Sequence, residues 1–597
     1  MINNIDLKTI KNLSYEELDV LAKEIREEII SVVSKNGGHL ASNLGIVELT
    51  IALHKVFDSP KDKIIFDVSH QSYTHKILTG RINEFKNLRK FEGVSGFSKY
   101  NESVHDVYEA GHSSTAISAG LGFLEAKKTF PNEIGDVIAV VGDASIVNGV
   151  SFEALNYLGY RKDQKMIIIL NDNEMGISKN VGSLAKSYDK IRTKGKMTFL
   201  RKITPLSIKK ALKSTFYDIG LFNSLGFQYF EKIDGHNIKE LVKYLTFAKN
   251  YKSSVVLHII TAKGKGYKFA EEDSCGKWHG VGPFDITTGE IFKTNDKISY
   301  GEILSEYLVK YVNSSENGKK IRVITPAMTL GSGLTTFANN CKSQFIDVGI
   351  AEESAAVMAG AMSRAGLIPI YFCYATFLQR AYDEIQHDIA RPNEHVIFCI
   401  DHVGIVSDDG DTHQGIFDLS YLTSIPGITI LTPKDGSEAI SMLKYAIEEL
   451  NGPVAIRYSK EKVSKEIELY DYKPKWDQLF DANKIVITYG ILYNEVKKLI
   501  ENSNLNIGLI NASIINPLDE KLLLDLANFG KEIIVYEETY KNGSLGSLIL
   551  NFYNKHNLKP NIKLLSLDET YLEVGKRSDL LQKYKISLED LKKVIGD

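Results

Sequence analysis

Short runs of branched apolar residues alternate along the chain with segments in which apolar residues recur at helical spacing. The runs at 137–141, 167–170 and 255–260 lie between such segments, and this alternation is typical of a parallel sheet with helices on both faces. Near the amino terminus, Ser14 and Glu17 have the spacing of a capping box ahead of an apolar helical period, which predicts an amphipathic helix. The first part of the chain is therefore predicted to be α/β.

Strand-like runs resume after the polar stretch 287–297, and they resume once more after the turn-rich stretch 470–481. The second group of runs comprises 322–325, 345–348, 369–373, 396–400 and 428–431. The third group comprises 485–488, 507–510 and 533–536. The pattern therefore predicts three consecutive α/β domains with mostly parallel sheets, divided as 1–297, 298–471 and 472–597.

The composition is that of an ordinary globular protein. Of its 597 residues, 43% are hydrophobic and 25% are charged, and a net charge of -3 gives no electrostatic attraction to nucleic acid or to an anionic membrane. The amino terminus lacks the basic start and apolar stretch of a secretory signal, and no run reaches the roughly 18 apolar residues of a membrane span. The four cysteines form no CxxC pair and are expected to be buried, reduced thiols. We expect a cytoplasmic protein that binds neither nucleic acid nor membrane.

Polar residues follow two of the predicted strands directly. Gly142-Asp143 comes after the run 137–141, and Asn171-Asp172-Asn173 comes after the run 167–170. In open α/β sheets, ligands bind at the carboxyl ends of the strands. Carboxylate and amide oxygens are hard donors that suit Mg²⁺ shared with a diphosphate. A Gly-Asp pair alone is more often a turn with a capping aspartate, so the metal-site hypothesis depends on the two motifs together.

The two strand-end motifs resemble the thiamine diphosphate motif, which begins with GDG and ends with NN or NxN. This resemblance implies that Asp143, Asn173 and the main-chain carbonyl of Met175 hold Mg²⁺ on the diphosphate of the cofactor. Ala144 stands where the motif has its second glycine, so the backbone has less room to approach the diphosphate there.

Longer segments look like those of the 1-deoxy-D-xylulose-5-phosphate synthase family, whose members are transketolase-like enzymes. The segments that carry the resemblance are 39–45, 67–76, 111–115, 263–267 with His279, 351–352, 374–383 and 409–415. The resemblance covers roughly residues 10–460 and thins in the third predicted domain, which is expected to be structural and dimer-forming.

The resemblance implies a transferase that condenses pyruvate with D-glyceraldehyde 3-phosphate and releases CO2, giving 1-deoxy-D-xylulose 5-phosphate. It further implies thiamine diphosphate and Mg²⁺ as cofactors, a cytoplasmic homodimer, and a product used for isoprene and thiamine biosynthesis. Two alternatives stay open: a transketolase that moves two-carbon units between sugar phosphates, and a non-catalytic paralogue that serves as a binding or regulatory module. The segment 374–383 argues against the first, and the joint presence of Asp143, Asn173, Glu352 and His413 argues against the second.

Roles for individual residues follow from the same resemblance. Glu352 is expected to protonate the far ring nitrogen of the cofactor's aminopyrimidine, and histidines are expected to transfer protons, since their usual pKa lies near neutral pH. The implied catalytic residues are Glu352, His39, His70, His413 and Asp409. The implied cofactor-binding residues are His70, Gly111, His112, Ser113, Ala144, Ser145, Asn173, Lys263, Tyr267, Glu352 and Phe377. The implied substrate-binding residues are Tyr374, Arg380, His402, Arg457 and His279, with the two arginines holding the acceptor phosphate.

Several positions depart from the family pattern. Asp401-His402 stands where Asp-Arg is usual, and that arginine belongs to the acceptor-phosphate site of the family. Glu353-Ser354 replaces the usual Gln-His, and the segment 178–222 is shorter than is typical. The cofactor is therefore better defined by the sequence than the acceptor.

Overall fold

A computed structural model describes residues 2–173, 220–292, 297–406, 410–503 and 505–596. The chain divides into an N-terminal unit, Met1–Phe292, and a C-terminal unit, Lys293–Asp597. Two predicted site residues, Met175 and Asp409, lie outside the described residues, as does most of the segment 178–222.

A five-stranded parallel sheet forms the centre of the N-terminal unit. Its strands are β1 (Lys63–Phe66), β2 (Val137–Gly142), β3 (Ile167–Asp172), β4 (Gln228–Asp234) and β5 (Val255–Ile260). They lie in the order β1-β2-β3-β5-β4, and each neighbouring pair is parallel. The three runs predicted in this part of the chain are confirmed as β2, β3 and β5. The sequence pattern misses β1, which has four residues, and β4, in which polar residues alternate irregularly with apolar ones.

Different helices bury the two faces of this sheet. Ile138 of β2 packs in a cluster with residues of helix Val47–Val56, whereas its neighbour Ala139 packs in a cluster with residues of helix Ala116–Thr129. Successive residues of a strand point to opposite faces, so a sheet covered on both sides needs continuous apolar runs. This requirement explains why the strands were visible as uninterrupted apolar stretches.

The predicted first helix is confirmed as Tyr15–Asn36, and Ser14 and Glu17 form both hydrogen bonds of its capping box. The α-helices described in the N-terminal unit are Leu7–Asn12, Tyr15–Asn36, Leu40–Leu44, Val47–Val56, Tyr73–Lys76, Ala116–Thr129, Gly149–Tyr160, Leu221–Ser224, Ile238–Asn250 and Lys268–Glu271.

The C-terminal unit contains two larger sheets and one short strand pair. Its strands are β6 (Lys297–Ile298), β7 (Ile321–Thr325), β8 (Phe345–Asp347), β9 (Ile368–Tyr374), β10 (Ile397–Val403), β11 (Thr429–Leu431), β12 (Val454–Ser459), β13 (Val463–Ser464), β14 (Asp477–Phe480), β15 (Lys484–Thr488), β16 (Gly508–Asn511), β17 (Ile514–Asn516), β18 (Glu532–Tyr540) and β19 (Ile562–Leu567). One sheet has the order β17-β11-β12-β10-β9-β7-β8, the other has the order β14-β16-β15-β18-β19, and β6 pairs with β13. Strands β17 and β14 are antiparallel to their neighbours, and the remaining pairs of the two sheets are parallel. All eight predicted runs of this region are confirmed as strands.

Strand β17 connects the two sheets of the C-terminal unit. It lies within the predicted third domain, yet it pairs with β11 of the seven-stranded sheet, and residues of both sheets belong to one buried cluster. The domain boundaries near 297 and 471 stay predictions. The α-helices described in this unit are Tyr300–Ser314, Thr335–Asn340, Glu352–Arg364, Ala375–Leu378, Tyr382–Glu384, Asp418–Leu422, Gly436–Glu448, Ile491–Glu501, Glu520–Asn528, Leu545–Lys555, Arg577–Lys583 and Leu588–Ile595.

The predicted fold class, α/β with mostly parallel sheets, is confirmed. Within the described ranges, no helix combines the length and the apolar character needed to cross a membrane. The expectation of buried thiols holds for Cys341, Cys373 and Cys399 but is wrong for Cys275, which is exposed because it lies in the loop between Asp273 and Trp278.

Candidate active site

Two strand ends of the N-terminal unit bring the predicted metal ligands together. Asp143 follows β2 and Asn173 follows β3, and because these strands are parallel neighbours, both residues lie at the same edge of the sheet. The Asn173 N–H donates to Asp143 Oδ2 over 3.3 Å, and the Ala144 N–H donates to Asp143 Oδ1 over 2.9 Å. Backbone amides therefore fix the Asp143 carboxylate beside Asn173.

Lys263 adds a positive charge near this edge of the sheet. It lies three residues after the end of β5, and its charge interacts with the carboxylate of Asp143. Burial lowers the pKa of the Lys263 ammonium to about 8, an effect that Asp143 and Asp273 oppose. The edge thus presents oxygen donors for a cation and an ammonium group for an anion.

The predicted cofactor-binding residues Gly111, His112 and Ser113 precede a turn that is held by a buried carboxylate. Asp67, at the end of β1, accepts hydrogen bonds from the Ser114 N–H over 2.8 Å and from the Ala116 N–H over 3.1 Å. The Ser114 hydroxyl also donates to the Ser145 carbonyl over 3.0 Å. The segments around His112 and around Ala144-Ser145 are therefore joined by hydrogen bonds beside the end of β2.

Three of the predicted histidines lie together in the N-terminal unit. The ring centroids of His39, His70 and His279 are 5.3 to 5.6 Å apart. The Asn43 side chain donates to the carbonyls of His39 and His70 over 2.6 and 2.7 Å, which fixes the two backbones relative to each other. Burial lowers the pKa of His279 well below its usual value, and the nearby charges of Lys263, His70 and His39 lower it further. The His279 ring is therefore neutral at physiological pH.

Tyr267 occupies a different environment from the other predicted cofactor-binding residues. Its ring packs against Trp278 and Phe284 with centroid distances of 5.2 and 5.6 Å, and its hydroxyl donates to the Ile286 carbonyl over 3.1 Å. These contacts place the Tyr267 side chain in an aromatic cluster of the hydrophobic core.

Glu352 begins helix Glu352–Arg364 in the C-terminal unit and is 4% exposed. No residue in the described part of the chain donates a hydrogen bond to its Oε2, and Arg380 Nη1 lies 3.9 Å from that atom. Burial raises the pKa of the Glu352 carboxyl to about 7, although Arg380 opposes the shift. A buried carboxyl that holds a proton near neutral pH can therefore share it with a ligand.

Aromatic rings at the ends of β9 and β10 form a stack. The Tyr374 ring lies 3.8 Å from the His402 ring at 17° and 5.8 Å from the Phe377 ring at 15°. The His413 ring meets the Phe377 ring edge-on at 5.3 Å, and the Thr376 hydroxyl donates to the Thr412 carbonyl over 3.1 Å. Four predicted site residues of the C-terminal unit are therefore brought together by these contacts.

Two predicted substrate-binding residues, Arg457 and His402, already have carboxylate partners. Arg457 of β12 is 2% exposed, and its guanidinium donates two hydrogen bonds to Asp418 over 2.6 and 3.0 Å. His402 has a φ of 60°, and its Nδ1 lies 2.9 Å from Asp401 Oδ1. An acceptor phosphate that bound to either residue would share it with a carboxylate.

Comparisons with known proteins show the family to which the chain belongs. A family model for 1-deoxy-D-xylulose-5-phosphate synthase matches residues 2–261, one for the pyrimidine-binding domain of transketolase matches 296–465, and one for the transketolase C-terminal domain matches 481–591. The 1-deoxy-D-xylulose-5-phosphate synthase of Macrococcus caseolyticus is 41% identical, with 98% of this chain and 97% of that protein covered. The chain belongs to the 1-deoxy-D-xylulose-5-phosphate synthase family. The synthase of Clostridium kluyveri is 42% identical, with 98% and 96% covered. Among solved structures, transketolase from Campylobacter jejuni is 17% identical, with 98% of this chain and 100% of that chain covered, at a TM-score of 0.42.

As a member of this synthase family, the chain is an enzyme of the transferase class and of the thiamine diphosphate-dependent, transketolase-like group. Its departures from the family pattern lie at identifiable places in the structure. Ala144 is on the turn that holds Asp143, and Glu353 and Ser354 are in the first turn of the helix that Glu352 begins. His402 is the stacking partner of Tyr374.

Sequence reasoning missed residues that hold the site in shape. Asn43 fixes the His39 and His70 backbones, Asp67 holds the turn after Ser113, and His236 contacts the amide next to Lys263. A signal existed for Asp67, because it directly follows a strand as Asp143 does. That strand, β1, was not predicted, so the signal could not be used.

Proposed function

We propose that this chain condenses pyruvate with D-glyceraldehyde 3-phosphate to form 1-deoxy-D-xylulose 5-phosphate and CO2. The observation that carries the proposal is the buried Glu352 carboxyl, whose Oε2 accepts no hydrogen bond from the described residues and whose pKa is raised to about 7. Such a carboxyl fits the ring nitrogen of a bound aminopyrimidine, with which it can share a proton. Membership of the synthase family supports pyruvate and the phosphorylated aldehyde as the substrates.

The residues present fit thiamine diphosphate, which when bound supplies the nucleophilic carbon and accepts the electrons freed by the loss of CO2. Glu352 holds the proton that the aminopyrimidine needs, and the Phe377 ring provides a flat apolar surface for that ring. Lys263 supplies positive charge for the diphosphate, and the joined segments around His112 and Ser145 are proposed to line it. Asp143 and Asn173 provide two oxygen donors for Mg²⁺, a number that suits an ion held mainly by diphosphate and water.

Histidines of the N-terminal unit and a histidine of the C-terminal unit are both proposed to transfer protons. The neutral His279 can accept a hydrogen bond and a proton at a ring nitrogen, and Ser42 Oγ lies 3.3 Å from its Nδ1. His39 and His70 stand beside it, with ring centroids 5.6 and 5.3 Å from the His279 ring, and are proposed to transfer protons to and from the reacting oxygens. In the C-terminal unit, His413 Nδ1 lies 2.9 Å from Thr412 Oγ1, which orients the ring against Phe377. Asp409 is proposed to orient or bind the acceptor.

Acceptor recognition is proposed to involve Tyr374, Arg380, His402 and Arg457. We predict that His402→Arg lowers the KM for glyceraldehyde 3-phosphate several-fold, because arginine carries a permanent charge and can donate two hydrogen bonds to one phosphate. The measurement is a pair of acceptor saturation curves, one for each protein, under the same conditions. Equal KM values would remove His402 from phosphate binding and leave that task to the two arginines.

A homodimer is proposed as the working state. Helix Gly149–Tyr160 leaves Phe152, Tyr157 and Tyr160 between 40% and 80% exposed, and helix Glu352–Arg364 leaves Val357 and Met358 at 45% and 38%. Aromatic residues and methionine are enriched in protein interfaces, so these helix faces are proposed to contribute to the dimer contact. Sedimentation equilibrium should therefore give about twice the chain mass of 66.8 kDa, and a monomer at micromolar concentration would contradict the proposal.

One assay tests the function. The purified protein is given pyruvate and glyceraldehyde 3-phosphate with thiamine diphosphate and Mg²⁺, and in parallel xylulose 5-phosphate and ribose 5-phosphate. Formation of 1-deoxy-D-xylulose 5-phosphate in the first mixture alone is the expected result, and products in the second mixture alone would favour transketolase activity. No product in either would favour a binding or regulatory paralogue. A cytoplasmic location and use of the product for isoprenoid and thiamine synthesis belong to the same proposal.

A further inference from the structure

A series of hydrogen-bonded side chains in the N-terminal unit ends at the backbone amide next to Lys263. Arg26 donates to Glu48 Oε2 over 2.5 Å, and the same oxygen lies 3.1 Å from His236 Nδ1. On the other side of the ring, His236 Nε2 lies 2.8 Å from the Ala262 amide nitrogen. Arg26 also donates to the Leu44 carbonyl over 3.2 Å, which ties this series of hydrogen-bonded side chains to helix Leu40–Leu44.

The direction of these hydrogen bonds fixes the tautomer of His236. A backbone N–H can only donate, so His236 Nε2 must accept from Ala262 and carries no proton. Nδ1 then carries the proton and donates it to Glu48. Burial works against ionisation of Glu48, but hydrogen bonds from His236 and Arg26 outweigh it and lower the pKa of this carboxyl. Glu48 is therefore an anionic acceptor that orients the neutral ring.

The amide that His236 binds belongs to a turn held at two points. The Ala262 N–H donates to His236, and two residues later the Gly264 N–H donates to the Ala41 carbonyl over 2.8 Å. Lys263 lies between these two contacts, with its ammonium group in electrostatic contact with Asp143. Gly264 has a φ of 78° and a Cβ there would come within 2.4 Å of the Ala270 backbone, so this turn requires glycine at position 264.

We propose that His236 is a positioning residue for diphosphate binding: its neutral ring clamps the turn that aims Lys263 at the cofactor's phosphates. The inference rests on the proposed function, because it takes thiamine diphosphate as the ligand. His236 does not itself touch the cofactor in this assignment. It acts by accepting one hydrogen bond from Ala262, which links Glu48 and Arg26 to the edge of the sheet where Asp143 and Asn173 lie.

The role of the acceptor atom can be separated from that of the ring. His236→Ala removes the acceptor, whereas His236→Gln places an amide oxygen where it can accept from Ala262 and cannot ionise. Calorimetric titration of the full-length apo-protein with thiamine diphosphate and Mg²⁺, and with inorganic pyrophosphate and Mg²⁺, should show about tenfold weaker binding of both ligands by H236A, within the range found for residues that orient ligands. H236Q should bind both ligands within about threefold of the wild type, and so should the control H387A, which lacks an exposed histidine of the C-terminal unit.

Recovery of binding by H236Q is a readout that general damage to the fold would not reproduce. The charged groups around the ring are Glu48, which Arg26 also binds, and Asp234, which accepts from the His236 backbone N–H over 2.9 Å. Damage to the fold would weaken ligand binding by H236A and H236Q alike, whereas loss of the acceptor atom weakens binding by H236A alone.

The outcomes are distinguishable. If the wild type binds thiamine diphosphate and H236A binds it equally well, the inference on His236 is overturned while the proposed function stands. Binding by H236Q as weak as that by H236A would also overturn it, because the acceptor atom would not be what matters. If the wild type itself binds no thiamine diphosphate, the proposed function fails. Should H236A not fold by circular dichroism, the comparison of H236Q with the wild type decides the matter, because binding by H236Q more than about threefold weaker would overturn the inference.

Discussion

Glu352→Gln should slow exchange of the C2 proton of bound thiamine diphosphate by several orders of magnitude. The wild-type carboxyl, with its pKa raised to about 7, can share a proton with the aminopyrimidine, whereas a glutamine amide cannot protonate a ring nitrogen. The measurement is acid-quenched hydrogen–deuterium exchange followed by NMR on the complex of each variant with thiamine diphosphate and Mg²⁺. An exchange rate equal to that of the wild type would contradict the proposed role of Glu352 in protonating the aminopyrimidine.

The same substitution should stabilise the apo-protein at alkaline pH. Glu352 has a higher pKa when folded, about 7, than the usual 4.5, so its contribution to stability is complete below about pH 4.5 and is lost as the pH rises through 7. At about 1.4 kcal/mol per pKa unit, this loss amounts to about 3 kcal/mol for the step that exposes Glu352. Urea midpoints of the two proteins should agree near pH 4 and differ at pH 8, with the variant higher. Glu353→Gln, a change at the next residue of the same helix, serves as the control for both experiments.

Asp143→Ala should abolish the Mg²⁺ dependence of thiamine diphosphate binding and weaken the binding itself by roughly 100-fold or more, since even residues that only orient metal ligands typically contribute about 10-fold to 100-fold. The substitution removes an oxygen donor for the ion, the acceptor of the Asn173 N–H and the carboxylate that faces Lys263. Calorimetric titrations at several Mg²⁺ concentrations measure both effects.

A matched control for Asp143→Ala comes from the other end of the same sheet. Asp163 is exposed in the turn before β3, so Asp163→Ala should leave cofactor binding unchanged. Circular dichroism should show that both variants fold. Retention of wild-type affinity and Mg²⁺ dependence by Asp143→Ala would contradict the assignment of the strand-end motifs to the cofactor site.

Much of the fold could be predicted from the sequence because most strands are buried on both faces. Runs such as 137–141 are then uninterrupted and end abruptly at a polar residue, which also located Asp143 and Asn173. Strand β4 could not be predicted, because it lies at the sheet edge with several exposed polar positions. His236 comes two residues after the end of β4, so no pattern in the sequence marked it as a site residue.

Other features of the site depend on contacts between distant parts of the chain. No local pattern shows that Asp418 neutralises Arg457 from 39 residues away, so an arginine predicted for the acceptor phosphate proves to be buried with a partner. The grouping of His39, His70 and His279 likewise follows from family resemblance and not from periodicity, since His279 is distant from the others in the sequence. Only the folded chain shows which donors, such as Asn43, hold these residues together.

The pairing of β17 with β11 has a consequence for the order in which the protein can be completed. Until residues 514–516 leave the ribosome, β11 is the outer strand of its sheet, and the edge that β17 later covers is open. Open edges with unpaired N–H and C=O groups invite pairing with other chains. Strand β11 joins the sheet through β12, so the nascent polypeptide carries an open sheet edge from the completion of β12 at Ser459 until Asn516 has been added. During this interval a chaperone can protect the edge from pairing with other chains.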